Sequence, residues 1–395
     1  IGTSAEPFMG VFEGNGKTVS GMWITRTSTN YVGFWGYLNG ATVKNLTLNY
    51  SSDCKGKDYV GAFAGYISGG TVSNCLVVAK NITGTTNVGG YVGYNTGSIS
   101  NSNFNAIKVS ATTNVGGYAG SNTNSISACT AKCDVSGSTD VGGFIGNSSG
   151  TIQNSNYEGT VNGTSQCTGG FVGEVASSVT FTSCIASGKV TGKAYTGGFV
   201  GKVNVNSTFT SSNHYGTISG TSNVGGFAGY VVNSVITSCG HNGDITATGN
   251  YVSGLVGQVY ATTANIKINK SYSVGNINAS GSYVGGIVGD FLDEIRELAS
   301  VITQPTKTYQ YTNNRYYPET KEYKYSGYKI VKCEFYKQDN RGSSYSGSKE
   351  SKYTVVPWGT TVELKFSNTS YSEGSTTVFP GYIILGKTYY KSTGE

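Results

Sequence analysis

The sequence predicts an all-β protein: a parallel β-solenoid of about ten coils, about 28 residues each, followed by a small C-terminal β domain. Three observations predict it. First, a glycine-framed tetrapeptide returns at a near-constant interval, from Gly33-Phe34-Trp35-Gly36 and Ala62-Phe63-Ala64-Gly65 through to Gly254-Leu255-Val256-Gly257 and Gly286-Ile287-Val288-Gly289. Its closing glycines lie 26 to 32 residues apart. A period in the twenties marks one supersecondary unit per repeat, stacked on its neighbours. Second, the segments between the glycines are short and rich in β-branched and aromatic residues, which reads as strand. Third, Gly, Asn, Ser and Thr fill the gaps, as tight turns require.

Within one repeat, the tetrapeptide comes first. Its second residue forms the column Phe34, Phe63, Tyr91, Tyr118, Phe144, Phe171, Phe199, Phe227, Leu255 and Ile287. Parallel strands spaced about 4.8 Å apart stack equivalent side chains into ladders, so this column is expected to be the core. A second signature falls about nine residues later, as Val72-x-x-Cys75, Ile99-x-x-Ser102, Ile126-x-x-Cys129 and onward to Ile268-x-x-Ser271. A third is Gly-x-Val/Ile, as in Gly159-Thr160-Val161 and Gly188-Lys189-Val190. Each coil therefore has three short strands. Ten coils at that rise give a rod about 48 Å long.

These residues resemble a known repeat. Gly254-Leu255-Val256-Gly257 spells the Gly-Leu-hydrophobic-Gly of the GLUG motif, and residues 7–21 (Pro7-Phe8-Met9-Gly10 onward) are similar to the segment that often precedes the first such repeat. The resemblance covers about residues 7–289. Most coils depart from it by carrying Phe or Tyr in place of Leu. It implies a β-solenoid in large secreted or surface proteins, mostly bacterial and often adhesin-like; some IgA-cleaving metallopeptidases carry it as an accessory region. It brings no catalytic residues with it.

Composition sets further bounds. Glycine reaches 59 residues, but 37% of the chain is hydrophobic, which excludes a disordered chain. The net charge of +6 is dispersed over 27 basic and 21 acidic residues, so the concentrated basic footprint of a nucleic-acid binder is missing. No run of 18 apolar residues is present to span a membrane as a helix. The start at Ile1, without Met or a leader, suggests a processed or excised segment whose signal or anchor lies elsewhere.

Chemistry-bearing residues are sparse. Cys75, Cys129, Cys184 and Cys239 share one column with Ser102, Ser155 and Ser212 between them. Two coils separate neighbouring cysteines by about 9.5 Å, beyond the roughly 7 Å reach of a disulfide, so they are expected to act as small buried hydrophobes. Cys54, Cys133, Cys167 and Cys333 lie outside that column, and a Cys133–Cys167 bond is conceivable only if turns bring the two together. His214 and His241 follow the Ser/Cys column by two residues and should stack on adjacent coils. They are weak metal candidates, set against two neighbouring surface histidines, because nothing beyond Asp244 is near to complete a site. Glu13, Asp53, Asp58, Asp134, Asp140, Glu158, Glu174 and Asp244 fall about one per coil at unrelated phases, and neither HExxH nor GxSxG occurs. No catalytic residue and no cofactor is therefore expected. Asn-x-Ser/Thr occurs at nine positions from Asn45 to Asn368, read as abundance in turns rather than glycan acceptors. The best candidate for ligand contact is an exposed aromatic strip just before the tetrapeptide: Tyr31, Tyr59, Tyr195, Tyr251 and Tyr283.

After the solenoid (residues 1–289), Phe291-Leu292-Asp293-Glu294-Ile295-Arg296-Glu297-Leu298-Ala299 has apolar residues at helical spacing. Residues 290–305 are thus expected to be a helical cap or linker. From about Thr306 to Glu395 polar and apolar residues alternate, as at Tyr328–Phe335 and Thr361–Phe366, which predicts a small β-sandwich-like domain. Taken together these features point to a non-enzymatic extracellular or cell-surface protein. The leading expectation is a rigid stalk or binding module of an adhesin, taking a glycan or protein of a host or neighbouring cell. One alternative is a protomer of a filament or surface layer that binds copies of itself; another is an accessory region of a larger secreted peptidase.

Overall fold

The structure, a computed structural model, describes residues 1–261 and 266–292, and beyond these only the backbone of strands between residues 311 and 392. The chain divides into two compact units, Ile1–Ile295 and Arg296–Glu395. The first is a β-solenoid of about ten coils with roughly 28 residues per turn. Among the described residues there is no helix.

Each coil lays short strands on three parallel sheets of 24, ten and nine strands. In the third coil, Thr86–Gly89 lies on the nine-stranded sheet and Val92–Asn95 on the ten-stranded sheet. Ser98–Ser100 and Asn103–Ser110 then return along the 24-stranded sheet. Pairing between coils is parallel and in register, Val92 opposite Ala64 on one side and Ala119 on the other. The first strand, Val11–Thr25, runs beside Thr42–Lys55 with three register shifts.

The predicted ladder is the core. Rings from Phe63 through Tyr91, Tyr118, Phe144, Phe171 and Phe199 to Phe227 stack with centroids 4.6 to 5.0 Å apart, and all are fully buried. Burying one such ring contributes about 2–3 kcal/mol, and each stacked pair adds about 1 kcal/mol. Phe34 departs from the expectation. It is half-buried and meets Trp35 edge-on at 5.1 Å, and it is Trp35 that is buried.

Two corners per coil use the left-handed backbone region. One is the position before the Cys/Ser column of the second signature, a column that Leu46 opens in the first coil. The corner residues are Asn45, Asn74, Asn101, Ala128, Asn154, Ser183, Ser211, Ser238 and Lys270, with φ between +48° and +57°. The short Asn side chain tolerates this conformation best. The alternation of Cys with Ser now has a physical reason. The amides of Cys75, Cys129, Cys184 and Cys239 donate to the hydroxyls of Ser102, Ser155, Ser212 and Ser271 on the next coil, at 3.1 to 3.3 Å. Cys54, Cys75, Cys129, Cys133, Cys167, Cys184 and Cys239 are free and buried, so no Cys133–Cys167 bond forms; Cys333 lies outside the described residues.

The expected helix does not begin at Phe291. Strand Val288–Leu292 pairs with Val256–Tyr260, placing Phe291 opposite Val259 and Leu292 opposite Tyr260. The preceding coil offers that backbone ready ladder partners, and these override the apolar spacing. Residues 293–299 lie outside the described residues. In the second unit, Tyr328–Tyr336 pairs antiparallel with Lys349–Pro357, and Val362–Phe366 with Gly381–Leu385, the last in turn with Thr388–Ser392. These pairings are antiparallel, the pairing that the sequence alternation predicted.

Candidate ligand-binding face

The residue four places before the tetrapeptide's second position (three in the first coil) turns each coil through the left-handed region. It is Tyr31, Tyr59, Asn87, Asn114, Asp140, Cys167, Tyr195, Asn223, Tyr251 and Tyr283 in coil order, with φ between +51° and +64°. Asn and Asp adopt this conformation at little cost, whereas Tyr and Cys are strained by about 1–2 kcal/mol each. A second column runs beside it, formed by the residue directly after the tetrapeptide. Register places Tyr37, Tyr66, Tyr94 and Ser121 on successive coils, then Asn147, Glu174 and Lys202, then Tyr230, Gln258 and Asp290. Glycine brings the columns together. A Cβ at Gly65 would collide with the backbone of Tyr31 and Val32, and one at Gly93 with that of Tyr59 and Val60.

At one end of this face five half-buried tyrosines interlock. Tyr37, Tyr66 and Tyr94 stack at 4.7 and 5.0 Å, and Tyr31 stacks on Tyr59 at 4.9 Å. The two stacks meet edge-on, Tyr31 with Tyr37 at 5.5 Å and Tyr59 with Tyr66 at 5.9 Å. The face then becomes polar. Asn114 Nδ2 and Ser121 Oγ both donate to Asn87 Oδ1, at 2.8 and 2.7 Å.

The middle of the face gathers Asp140, Cys167 and Glu174, whose donor atoms all lie within 4.8 Å of one another. This corrects the expectation that the carboxylates fall at unrelated phases: the left-handed corner turns Asp140 toward Glu174 on the next coil. Burial first, and then the charge of Glu174, push the Asp140 carboxyl up to about 7. Burial, and then Asp140, push the Cys167 thiol well up. Asn147 and Asn204 donate to Glu174, and Lys202 Nζ approaches it at 3.9 Å. Lys202 also sits 5.2 Å from the centre of the Tyr195 ring, which meets Tyr230 edge-on at 5.7 Å. Beyond them Asn223 donates to Gln258 at 2.6 Å, and Tyr251 stacks on Tyr283 at 5.0 Å.

The predicted tyrosine strip is therefore split. Tyr31 and Tyr59 form one group, Tyr251 and Tyr283 another, and Tyr195 stands with Lys202 and Tyr230. Sequence reasoning missed Tyr37, Tyr66, Tyr94 and Tyr230, although the residue directly after each tetrapeptide was a readable signal.

His214 and His241 do stack on adjacent coils, 5.2 Å apart. They are not surface histidines. They are 1% and 0% exposed, in a core column that carries Phe104, Ala131, Tyr157 and Ala186 on earlier coils. Their rings fill the space above Gly198 and Gly226, where a Cβ would strike them. Their Nδ1 atoms face each other at 3.0 Å, and their Nε2 atoms meet the carbonyls of Gly188 and Gly243 at 3.0 and 2.9 Å. All four ring nitrogens thus lie at hydrogen-bonding distance from a partner.

No family model matches the chain, and no solved structure does. One stretch is like Halomucin. Over 89 residues it is 39% identical to that protein of Haloquadratum walsbyi. The stretch is 22% of this chain and 1% of Halomucin, so the chain spans only a small fraction of that relative. A repeat solenoid of this kind is consistent with a structural or surface protein.

Proposed function

We propose that this chain is a non-catalytic binding module of an extracellular surface protein, of adhesin type, and that its tyrosine-lined face takes up a glycan. The observation that carries this is the patch of Tyr31, Tyr37, Tyr59, Tyr66 and Tyr94, five half-buried rings in mutual contact on one face. Tyrosine combines a rigid apolar body with a hydrogen-bonding tip, the combination that recognition surfaces use. Two of the five stand at left-handed corners where Asn would cost less, so the ring itself is what these positions retain.

Supporting the surface location are the repeat's resemblance to the GLUG pattern, the stretch similar to Halomucin, and the absence, among the described residues, of a helix long and apolar enough to cross a membrane. The binding reading is tested by isothermal titration calorimetry of the purified chain with soluble hexamers of β-1,4-glucose, α-1,4-glucose and β-1,4-N-acetylglucosamine. At least one hexamer should bind, and the triple variant Tyr31→Ala/Tyr66→Ala/Tyr94→Ala should lose at least tenfold in affinity. No binding of any hexamer to the unaltered chain refutes the glycan reading.

A further inference from the structure

A stacked ladder hides most of what a sugar would use. A pyranose ring packs its C–H face on the flat face of an aromatic ring, and inside a ladder each flat face already belongs to a neighbour. Tyr66 is enclosed in this way, by Tyr37 at 4.7 Å on one side and Tyr94 at 5.0 Å on the other. Tyr37, at the near end, meets Tyr31 edge-on at 5.5 Å, and its backbone carbonyl accepts from the amide of Phe8 in the opening segment at 3.0 Å. In the second stack, Tyr59 is covered by Tyr31 and faces Tyr94 edge-on at 6.2 Å. Tyr94 closes the longer stack on the side where the face turns polar. Its register partner on the next coil is Ser121, so the ladder ends there, and among the described residues no ring stacks on its far side.

Past Tyr94 the face steps down to short side chains. Ser121, Asn114 and Asn87 are tied to one another by hydrogen bonds, forming a fixed polar floor. The columns continue through Asn147, Asp140, Cys167 and Glu174, and an aromatic ring returns only at Tyr195, beside Lys202. From the Tyr94 coil to the Lys202 coil is four coils, about 19 Å at the spacing of parallel strands. The face therefore has a polar trough between two walls, and one wall is a flat tyrosine ring.

We infer that the glycan subsite lies in this trough, with a terminal or internal pyranose stacked on the far face of Tyr94 and hydroxyls over the Asn87–Asn114–Ser121 floor. The inference rests on the face being a glycan-binding surface, and it adds which of the tyrosines makes the contact. The other tyrosines of the patch act by holding Tyr94 in place. Loss of the flat stacking partner should cost at least about tenfold in affinity, about 1.4 kcal/mol.

The test uses the hexamer that binds best to the unaltered chain, by titration calorimetry on four variants. Tyr94→Leu keeps apolar bulk but removes the flat face, and should lose at least tenfold. Ser121→Tyr extends the ladder by one ring and covers Tyr94; it should lose at least tenfold although it adds an aromatic residue. Tyr215→Phe, at an exposed tyrosine of strand Asn213–Tyr215 on the 24-stranded sheet and outside this face, should stay within twofold. Asn114→Ala disturbs the floor and should lose a few-fold. Circular dichroism and the thermal midpoint establish that each variant is folded. If Ser121→Tyr does not fold, Tyr94→Leu against Tyr215→Phe decides alone. Affinity unchanged in Tyr94→Leu, or raised in Ser121→Tyr, overturns the subsite while leaving the glycan reading intact. Failure of every hexamer to bind the unaltered chain overturns both.

Discussion

Lowering the pH from 7 to 5 should loosen the solenoid at the His214–His241 pair. Two neutral imidazoles carry two ring protons between them, yet the geometry presents three contacts: Nδ1 to Nδ1, and each Nε2 to a carbonyl. One contact of a neutral pair therefore sets lone pair against lone pair. A third proton would satisfy all three contacts, at the cost of a buried positive charge. Burial dominates: it pushes His214, helped by the charge of His241, down to about 3. It pushes His241 down to about 4, against the opposing pull of the Gly243 carbonyl and Asp244. Because both folded values lie below that of a free histidine, about 6.5, the unfolded chain binds more protons below that pH. The stability contribution is then complete above pH 6.5, falls as the pH drops toward 4, and levels off below about 3. At pH 5 each imidazole accounts for about 2 kcal/mol, and the pair for about 4 kcal/mol. The assay is denaturant unfolding followed by circular dichroism at pH 7, 6 and 5, on the unaltered chain and on His214→Phe/His241→Phe. The double variant is suited to the site because Phe104 and Tyr157 occupy the same column on other coils. The variant should be less sensitive to pH by about 4 kcal/mol over this range. Equal pH dependence in the two proteins would falsify this reasoning. A difference between the two proteins of only about 1 kcal/mol over this range would show instead that the pair holds one shared proton as a buried cation.

The packing leads to four further expected outcomes. Phe171→Ala, in the middle of the aromatic ladder, should destabilise by about 3–5 kcal/mol in the same unfolding assay. Gly188→Ala should cost several kcal/mol and lower soluble yield, because its φ is +127° and the new Cβ would meet the Gly159 carbonyl. Ala128→Asn places the favoured residue at an exposed left-handed corner between Asn101 and Asn154, and should raise stability by about 0.5–1 kcal/mol. The thiols of Cys54, Cys184 and Cys239, each pushed up to about 12 by burial, should react with a maleimide only after denaturant is added; mass spectrometry of the native, labelled chain reads this directly.

The sequence made the coils legible because a solenoid repeats its physics. Each Phe or Tyr of the ladder meets the same environment as the one before it, so spacing alone placed Phe63 through Phe227 in the core. Where a residue's role depends on the neighbouring column, spacing did not suffice. Asp140 and Cys167 share one phase, whereas Glu174 belongs to the column after the tetrapeptide, and the three come together because two different strands of each coil lie side by side. Tyr37, Tyr66 and Tyr94 were readable by position but were overshadowed by the strip before the tetrapeptide. His214 and His241 were placed on adjacent coils correctly and on the wrong side of the sheet. Their polarity suggested the surface, whereas their column runs inward and their nitrogens find partners there. At the solenoid's last described strand, apolar spacing suggested a helix at Phe291 and Leu292, but pairing with the preceding coil prevailed.

The direction of the inter-coil hydrogen bonds has a mechanical consequence. They run along the solenoid axis, so a load applied evenly to the two ends of the solenoid is shared by every bond in a rung, and no rung can yield until many bonds fail at once. A load carried by the chain ends acts differently. It concentrates on the outermost rung, where the strand is held on one side only, and detaches that coil before the next is stressed. Each detached coil of about 28 residues releases roughly 90 Å of extended chain. A solenoid built this way resists bending and stretching at small loads, then lengthens in steps from one end while the interior stays intact.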